Sequence, residues 1–352
     1  MKIKNINIGL KFKPCIIAEI SGNHNQNLIR ALALVDKAAW AGVKIIKLQT
    51  YKPETITINS KKKDFIIKDK NSLWNKRSLY SLYKEGSTPW EWHKKIFFRA
   101  KQKGLICFSS VFDETSVDFL ESLNTPAYKI SSFESNHYPL IKKVINTKKP
   151  LIISLGLNSF KEIKELISFL NKNNCKNYAL LKCTSSYPAK PEDVNVKTIN
   201  SMRKKFKCEI GFSDHTLGIG SSLAAIANGA SIIEKHFTLS SKDNGIDSKF
   251  SLDPFELKCL VQESERAWKS LGKIFYGPTK NERKYLKFRR SIYIIKNIKK
   301  NEKITRENIK IIRPNFGLLP KKFNYVLGKK ASKNLTKDTP LKSSDIFKKK
   351  LI

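Results

Sequence analysis

Two histidines close short apolar runs: Glu209-Ile210-Gly211-Phe212-Ser213-Asp214-His215 and Ser231-Ile232-Ile233-Glu234-Lys235-His236-Phe237. A lone histidine is more often a satisfied structural residue than a ligand. Two imidazoles at the ends of adjacent parallel strands, however, can share a metal ion. The helical stretch 217–228 between the runs makes them strand, helix, strand, and therefore neighbours in a sheet. Two nitrogen ligands leave the rest of the coordination shell to water or substrate oxygen. That suits an open catalytic site for Mn²⁺ or Mg²⁺ better than a closed zinc site.

Other apolar runs also end in polar groups. Run 15–20 supplies Glu19, with Asn23 and His24 in the loop after it, and run 44–49 supplies Lys47 and Gln49. Runs 127–131 and 151–156 bring Lys129, Ser132 and Ser154; run 178–185 brings Lys182, Thr184 and Ser185, with Tyr187 just beyond. The histidine runs add Ser213, Asp214, Glu234 and Lys235. One lysine at a strand end can snorkel to solvent, but lysines and serines at many strand ends imply a concave anion site, for phosphate or carboxylate. Some assignments stay open on residue type. Glu134 and Glu234 either neutralise neighbouring lysines or join the chemistry, Asp214 either caps the next helix or faces the site, and Asp247 is a loop residue or a sugar contact. His93 and His137 have no such context and receive no role.

These groups need a scaffold that brings strand ends together. With 106–110 there are eight near-continuous apolar runs, separated by amphipathic stretches or loops. Such runs indicate a parallel sheet covered by helices, and eight of them favour a closed (β/α)8 TIM barrel, whose chemistry lies at the C-terminal strand ends. No GxGxxG follows the first run, which argues against a dinucleotide fold. Leu28, Ala31, Leu32, Val35, Ala38 and Ala39 give the first helix one apolar face, with Asn25 or Asn27 as its cap and Gly42 as its end. The loop after the second strand, 50–89, is unusually long and carries Trp74, Tyr80, Tyr83 and Trp90. These aromatics either contact a sugar or simply fold the loop. After Arg289-Arg290 the texture changes to short β-like pieces and turns. This divides the chain into a barrel domain, 1–285, and a small domain, 290–352, that is marginal alone and needs a surface to dock on.

Composition narrows the function classes. The six cysteines have no CxxC spacing, and three lie in apolar runs, which reads as buried reduced thiols. No apolar run approaches the roughly 20 residues of a membrane span, and the first residues lack a secretory pattern, so the chain reads as cytoplasmic. The net charge of +38 would normally suggest nucleic acid, but lysine is scattered over every helix and loop without an aromatic-interleaved basic motif. A basic nucleic-acid-binding protein is the non-enzyme alternative; it predicts salt-sensitive retention of DNA or RNA.

The segments Ala18-Glu19-Ile20-Ser21-Gly22-Asn23-His24-Asn25, Lys47-Leu48-Gln49-Thr50, Tyr128-Lys129-Ile130-Ser131-Ser132-Phe133-Glu134, Gly211-Phe212-Ser213-Asp214-His215 and Glu234-Lys235-His236-Phe237 together resemble the sialic acid synthase family. The tail Ile312-Arg313-Pro314-Asn315-Phe316-Gly317-Leu318 resembles that family's antifreeze-like (SAF) β-clip domain. The resemblance implies a metal-dependent condensation of phosphoenolpyruvate with an amino-sugar aldehyde, giving a nonulosonic acid and phosphate by C–O cleavage. It implies that His215 and His236 hold the metal, Mn²⁺ with Mg²⁺ or Co²⁺ as alternatives. Lys47, Gln49, Lys129, Ser132, Ser154 and Ser213 would hold phosphoenolpyruvate, with Glu19 as the acid/base candidate and Glu134 or Glu234 orienting lysines or sugar hydroxyls. Asn23, Thr184, Ser185, Tyr187, Lys235 and Asp247 are further substrate-site candidates. Arg313 would reach into the barrel of a second copy, in a domain-swapped homodimer. Lys182, where other members carry His, and segments such as Thr88-Pro89-Trp90-Glu91-Trp92-His93 point to a branch whose acceptor is 2,4-diacetamido-2,4,6-trideoxy-L-altrose, with N-acetylmannosamine and the legionaminic precursor as alternatives.

Overall fold

The computed structural model describes residues 1–70 and 72–347; residues 348–352, which end the expected second domain, lie outside the described residues. The chain forms two compact units, Met1–Gly272 and a second from Lys273 onward.

In the first unit eight parallel strands close on themselves: β1 (Cys15–Glu19), β2 (Ile45–Thr50), β3 (Ile106–Val111), β4 (Tyr128–Ile130), β5 (Leu151–Ser154), β6 (Tyr178–Cys183), β7 (Glu209–Asp214) and β8 (Ile232–His236). β8 pairs with β1 to complete the ring, Ile232 opposite Cys15 and His236 opposite Glu19. The near-continuous apolar runs follow from burial on both faces. Ile17, Ile45, Ile106, Phe108, Ile152, Leu181 and Ile232 pack inside with Ile3 and Ile8 of the N-terminal segment. The alternate residues, such as Ile16, Ala18, Ile46, Leu48, Ile153, Leu180 and Ile233, pack against the helices.

The first helix runs Leu28–Ala41; the Asn27 side chain accepts from the Arg30 amide, and Gly42 ends it at φ 91°. The helix between the histidine strands is shorter than expected, Gly220–Ala227, because Gly218 sits at φ +66°, outside the helical region. Its first turn has no side-chain cap, so Asp214 does not serve as one. His137 does cap a helix, Tyr138–Asn146, by accepting from the Leu140 amide. The long insertion is folded: Ile67 and Lys76–Arg77 pair through two backbone hydrogen bonds of 2.9 and 2.8 Å, ahead of the helix Leu79–Gly86. All six cysteines are free; Cys15, Cys107 and Cys183 are buried, whereas Cys259 is exposed. Among the described residues no helix is long and apolar enough to cross a membrane.

The second unit is built on an antiparallel pair, β9 (Ser291–Ile294) with β10 (Ile309–Ile312), Ser291 opposite Ile312. Its core gathers Ile292, Ile294, Ile298, Ile304, Ile309, Val326 and Leu341. Gly317 runs against that core: a Cβ there would lie 2.4 Å from the Ile292 carbonyl oxygen, so no other residue fits.

Candidate active site at the barrel mouth

The period of two that fills the barrel with isoleucine also decides which strand-end residues face inward. Above Ile17 comes Glu19, above Ile45 come Lys47 and Gln49, and above Phe108 comes Ser110. Lys129, Ser154, Cys183 and Ser213 follow Ala127, Ile152, Leu181 and Gly211 in the same way, and Glu234 and His236 follow Ile232. Gly211 is required by this packing, since a Cβ would lie 2.5 Å from Leu181 Cδ2 and 2.7 Å from the Ile232 carbonyl oxygen.

Lys47, Lys129, Glu19 and Glu234 form one buried charge cluster. Lys47 Nζ is ion-paired with Glu19, donates to Ser110 Oγ at 2.8 Å and lies 4.0 Å from Glu234. Lys129 Nζ donates to Ser154 Oγ at 2.7 Å and lies 3.5 Å from the same Glu234 oxygen, which also accepts from Ser213 at 3.2 Å. Glu19 accepts from the Ser21 amide at 2.7 Å. Burial pulls the Lys47 ammonium down to about 7, with Lys129 adding to the fall and Glu234 opposing it. Burial favours the neutral form of Glu234, but Lys129, Lys47 and His215 outweigh it and hold the carboxyl below its ordinary value. An anion arriving beside these two lysines would favour the charged form that burial disfavours at Lys47.

Above this floor opens a cleft of about 900 Å³, lined by Gln49, Glu134, Ser185, Tyr187, His236 and Asp247 and, from the insertion, by Trp74, Leu79, Leu82 and Tyr83. Burial pushes the Glu134 carboxyl up to about 7 against the pull of Lys129, and among the described residues its Oε2 has no hydrogen-bond partner. Gln49 donates to Ser21 Oγ at 2.9 Å, and Ser21 donates to Asp247 Oδ2, which lies 3.8 Å from His236 Nδ1. Ser132 accepts from the Gly156 amide at 3.0 Å. Gly156 leaves room for that cradle, since a Cβ would meet Ser185 Oγ at 2.3 Å and Ser132 Oγ at 2.9 Å.

The rings of His215 and His236 stand 5.3 Å apart, with Tyr187 4.4 Å from His215. His215 Nδ1–H donates to the Thr184 carbonyl at 2.9 Å; burial favours the neutral ring, but Cys183, Thr184 and Glu234 outweigh it and raise its pKa, so Nε2 becomes a metal donor only once that ring gives up its proton. Among the described residues His236 Nδ1 is buried without a hydrogen-bond partner, and burial together with His215 and Lys47 holds the ring well below its ordinary pKa, hence neutral. This donor pair fits an open divalent site. Among the described residues no group of three or more His, Cys, Asp or Glu is arranged around a metal, so water and substrate would complete the shell.

Several expected site residues lie elsewhere. Lys235 points to the outer side of β8, fully buried, 3.1 Å from Asp214, whose carboxylate also accepts from Thr216 and Ser222. It is a packing ion pair behind the barrel wall and not a substrate contact. Asn23 spends its amide on the Phe237 carbonyl, Ser251 and Ser248. Thr184 turns its hydroxyl towards Lys182 and the Asp193 carbonyl. Lys182 itself bonds the Cys183 carbonyl at 2.7 Å. Glu19 lies beneath the cleft, orienting Lys47. In the insertion, Trp74 and Tyr83 line the cleft, but Tyr80 bonds Glu54 and Trp90 stacks on Phe119. Arg313, in the second unit, is exposed.

Ser110, Ser21 and Cys183 join the site without having been expected there. Cys183 Sγ is buried 3.8 Å from both His215 Nδ1 and Ser185 Oγ; burial pushes the thiol up, but His215, Ser132 and Lys129 bring it down to about 7. Counting alternate residues upward from Phe108 and Leu181 would have found Ser110 and Cys183.

The sequence profile of the NeuB family matches residues 34–276, and that of the SAF domain matches residues 289–346. The pseudaminic acid synthase of Campylobacter jejuni is 43% identical over 98% of this chain and 99% of its own length. That of Helicobacter pylori is 42% identical, over 95% and 98%. Among solved structures, the N-acetylneuraminic acid synthetase of Leptospira borgpetersenii, in complex with citrate, matches with a TM-score of 0.72 at 31% identity, covering 81% of this chain and 94% of that one.

Proposed function

The chain belongs to the NeuB family and carries a SAF domain, and from that membership we propose that it is a pseudaminic acid synthase. It joins phosphoenolpyruvate to the open-chain form of 2,4-diacetamido-2,4,6-trideoxy-L-altrose and releases phosphate by C–O cleavage. The observation that carries the mechanism is that one barrel mouth holds two buried lysines, each beside a carboxylate, and a pair of imidazoles 5.3 Å apart.

On this reading Lys47, Lys129 and the hydroxyls of Ser132, Ser154 and Ser213 bind phosphoenolpyruvate, with Gln49 beside them, and fix its C3 towards the acceptor carbon. A divalent ion held by His215 and His236, Mn²⁺ with Mg²⁺ or Co²⁺ as alternatives, would supply Lewis-acid polarisation of the aldehyde. Once the C–C bond forms, the electron-poor C2 takes water, and the resulting tetrahedral carbon expels phosphate. Glu19 and Glu234 hold the lysines in place. Glu134 faces the cleft with a carboxyl near neutrality, so the proton work falls to it rather than to Glu19. Tyr187, Ser185 and Asp247 line the acceptor side. The enzyme would act in the cytoplasm as a homodimer whose SAF domains are exchanged through Arg313.

The test is phosphate release with Mn²⁺ and phosphoenolpyruvate. Turnover with the altrose sugar and none with N-acetylmannosamine or the legionaminic precursor is expected. Turnover with one of those sugars in its place would keep the family and change the product.

A further inference from the structure

The residues lining the cleft are of two kinds. Gln49, Glu134, His236 and Asp247 are polar. Ile56, Ile67, Leu79 and Leu82 of the insertion, with Ile246 from the segment after β8, make an apolar wall. Ile56, Ile67, Leu79 and Ile246 are only half-buried, so they present hydrocarbon to a cleft that a substrate would fill. This wall is held in place. Trp74 Nε1–H donates to the Ile246 carbonyl at 3.2 Å, tying the insertion to the segment that carries Ile246, and the Trp74 ring packs 5.6 Å from Tyr187. The Ile67 backbone is fixed on both sides by Arg77 and Lys76.

Resting on the synthase reading above, we propose that this wall is an acceptor-selecting subsite for the C-methyl group of a deoxy sugar. The aldehyde carbon must lie near His236 and Glu134 to meet phosphoenolpyruvate, so the wall receives the substituents remote from it. A hydroxymethyl group against these five side chains would lose its hydrogen bonds to water without replacement, whereas a methyl group gains by burial. Ser72 of the same insertion also lines the cleft and suits the amide or ring hydroxyl groups that either kind of acceptor carries. Because an apolar pocket rejects an added hydroxyl only modestly, the expected preference is roughly 10- to 100-fold in kcat/KM.

The experiment compares 2,4-diacetamido-2,4,6-trideoxy-L-altrose with its 6-hydroxy analogue in the wild type, Leu79→Asn and Ile67→Thr, reading kcat/KM for each sugar and KM for phosphoenolpyruvate. The subsite predicts a wild-type preference for the deoxy sugar. It further predicts that both variants lose most of that preference, chiefly by a fall of about tenfold with the deoxy sugar, while KM for phosphoenolpyruvate holds. Ile67→Thr carries the result if Leu79→Asn, at the start of a helix, fails to fold. Equal efficiency in the wild type, or an unchanged ratio in the folded variants, would overturn the subsite alone. No phosphate release with any sugar would overturn the synthase reading, and the subsite with it.

Discussion

Among the acidic residues of the barrel mouth, Glu134 combines access to the cleft with a carboxyl that burial raises to about 7. Glu134→Gln should lower kcat by roughly 10²- to 10⁴-fold with little change in KM for phosphoenolpyruvate, and should remove the limb of the kcat–pH profile near 7. The stability sign follows from the same shift. A carboxyl raised in the folded state stabilises below its unfolded value and loses that contribution as pH rises through about 7. The variant should therefore gain on the wild type at pH 8, by up to about 3 kcal/mol, and show no such gain at pH 4, measured by urea denaturation. His215→Ala tests the other chemistry: stoichiometric Mn²⁺ binding by calorimetry should vanish, with turnover down roughly 10³-fold or more. Retained Mn²⁺ affinity would remove His215 from the ligand set. Residue types made the histidine pair and the lysine floor legible in the sequence. They did not separate Glu19 from Glu134, because each is a glutamate near a strand end and only the folded chain buries one against Lys47 and opens the other to the cleft.

Strand period explains both what was read correctly and what was not. The eight runs each match a barrel strand to within a residue or two at either end, because strands buried on both faces are apolar along most of their length. That same lack of alternation hides which terminal polar residue faces inward. Glu234 and Lys235 look equivalent in sequence; counting in twos from Ile232 sends Glu234 to the site and Lys235 to the wall. The outcome is measurable. Lys235→Met, leaving Asp214 charged and buried, should cost about 3–5 kcal/mol of stability, and Lys235→Met with Asp214→Leu should recover much of it. KM for phosphoenolpyruvate in the folded variants should stay within about twofold of wild type, whereas a substrate-binding lysine would raise it far more. The 50–89 insertion was legible as a site-shaping loop from its length alone. Its anchor, Trp74 on the Ile246 carbonyl, was not, since it joins residues 172 positions apart.

At the scale of the whole molecule, the question is what the second unit does for the first. Its core is small and its β9–β10 pair alone would be marginal, which fits a domain kept for a docking role. Arg313 is exposed, and among the described residues it makes no hydrogen bond or ion pair, so its guanidinium is available to a second copy of the chain. If the SAF domain completes the partner's barrel, two inactive chains can rescue each other. A His236→Ala chain has a dead barrel and an intact Arg313; an Arg313→Ala chain has the reverse. In the mixed dimer one barrel keeps both histidines and receives the intact arginine. Random pairing after co-expression makes half the dimers mixed, so about a quarter of all sites should be whole and activity should return to about a quarter of wild type. If Arg313 served its own barrel, every site in every dimer would lack one group or the other, and the mixture would stay as inactive as its parents.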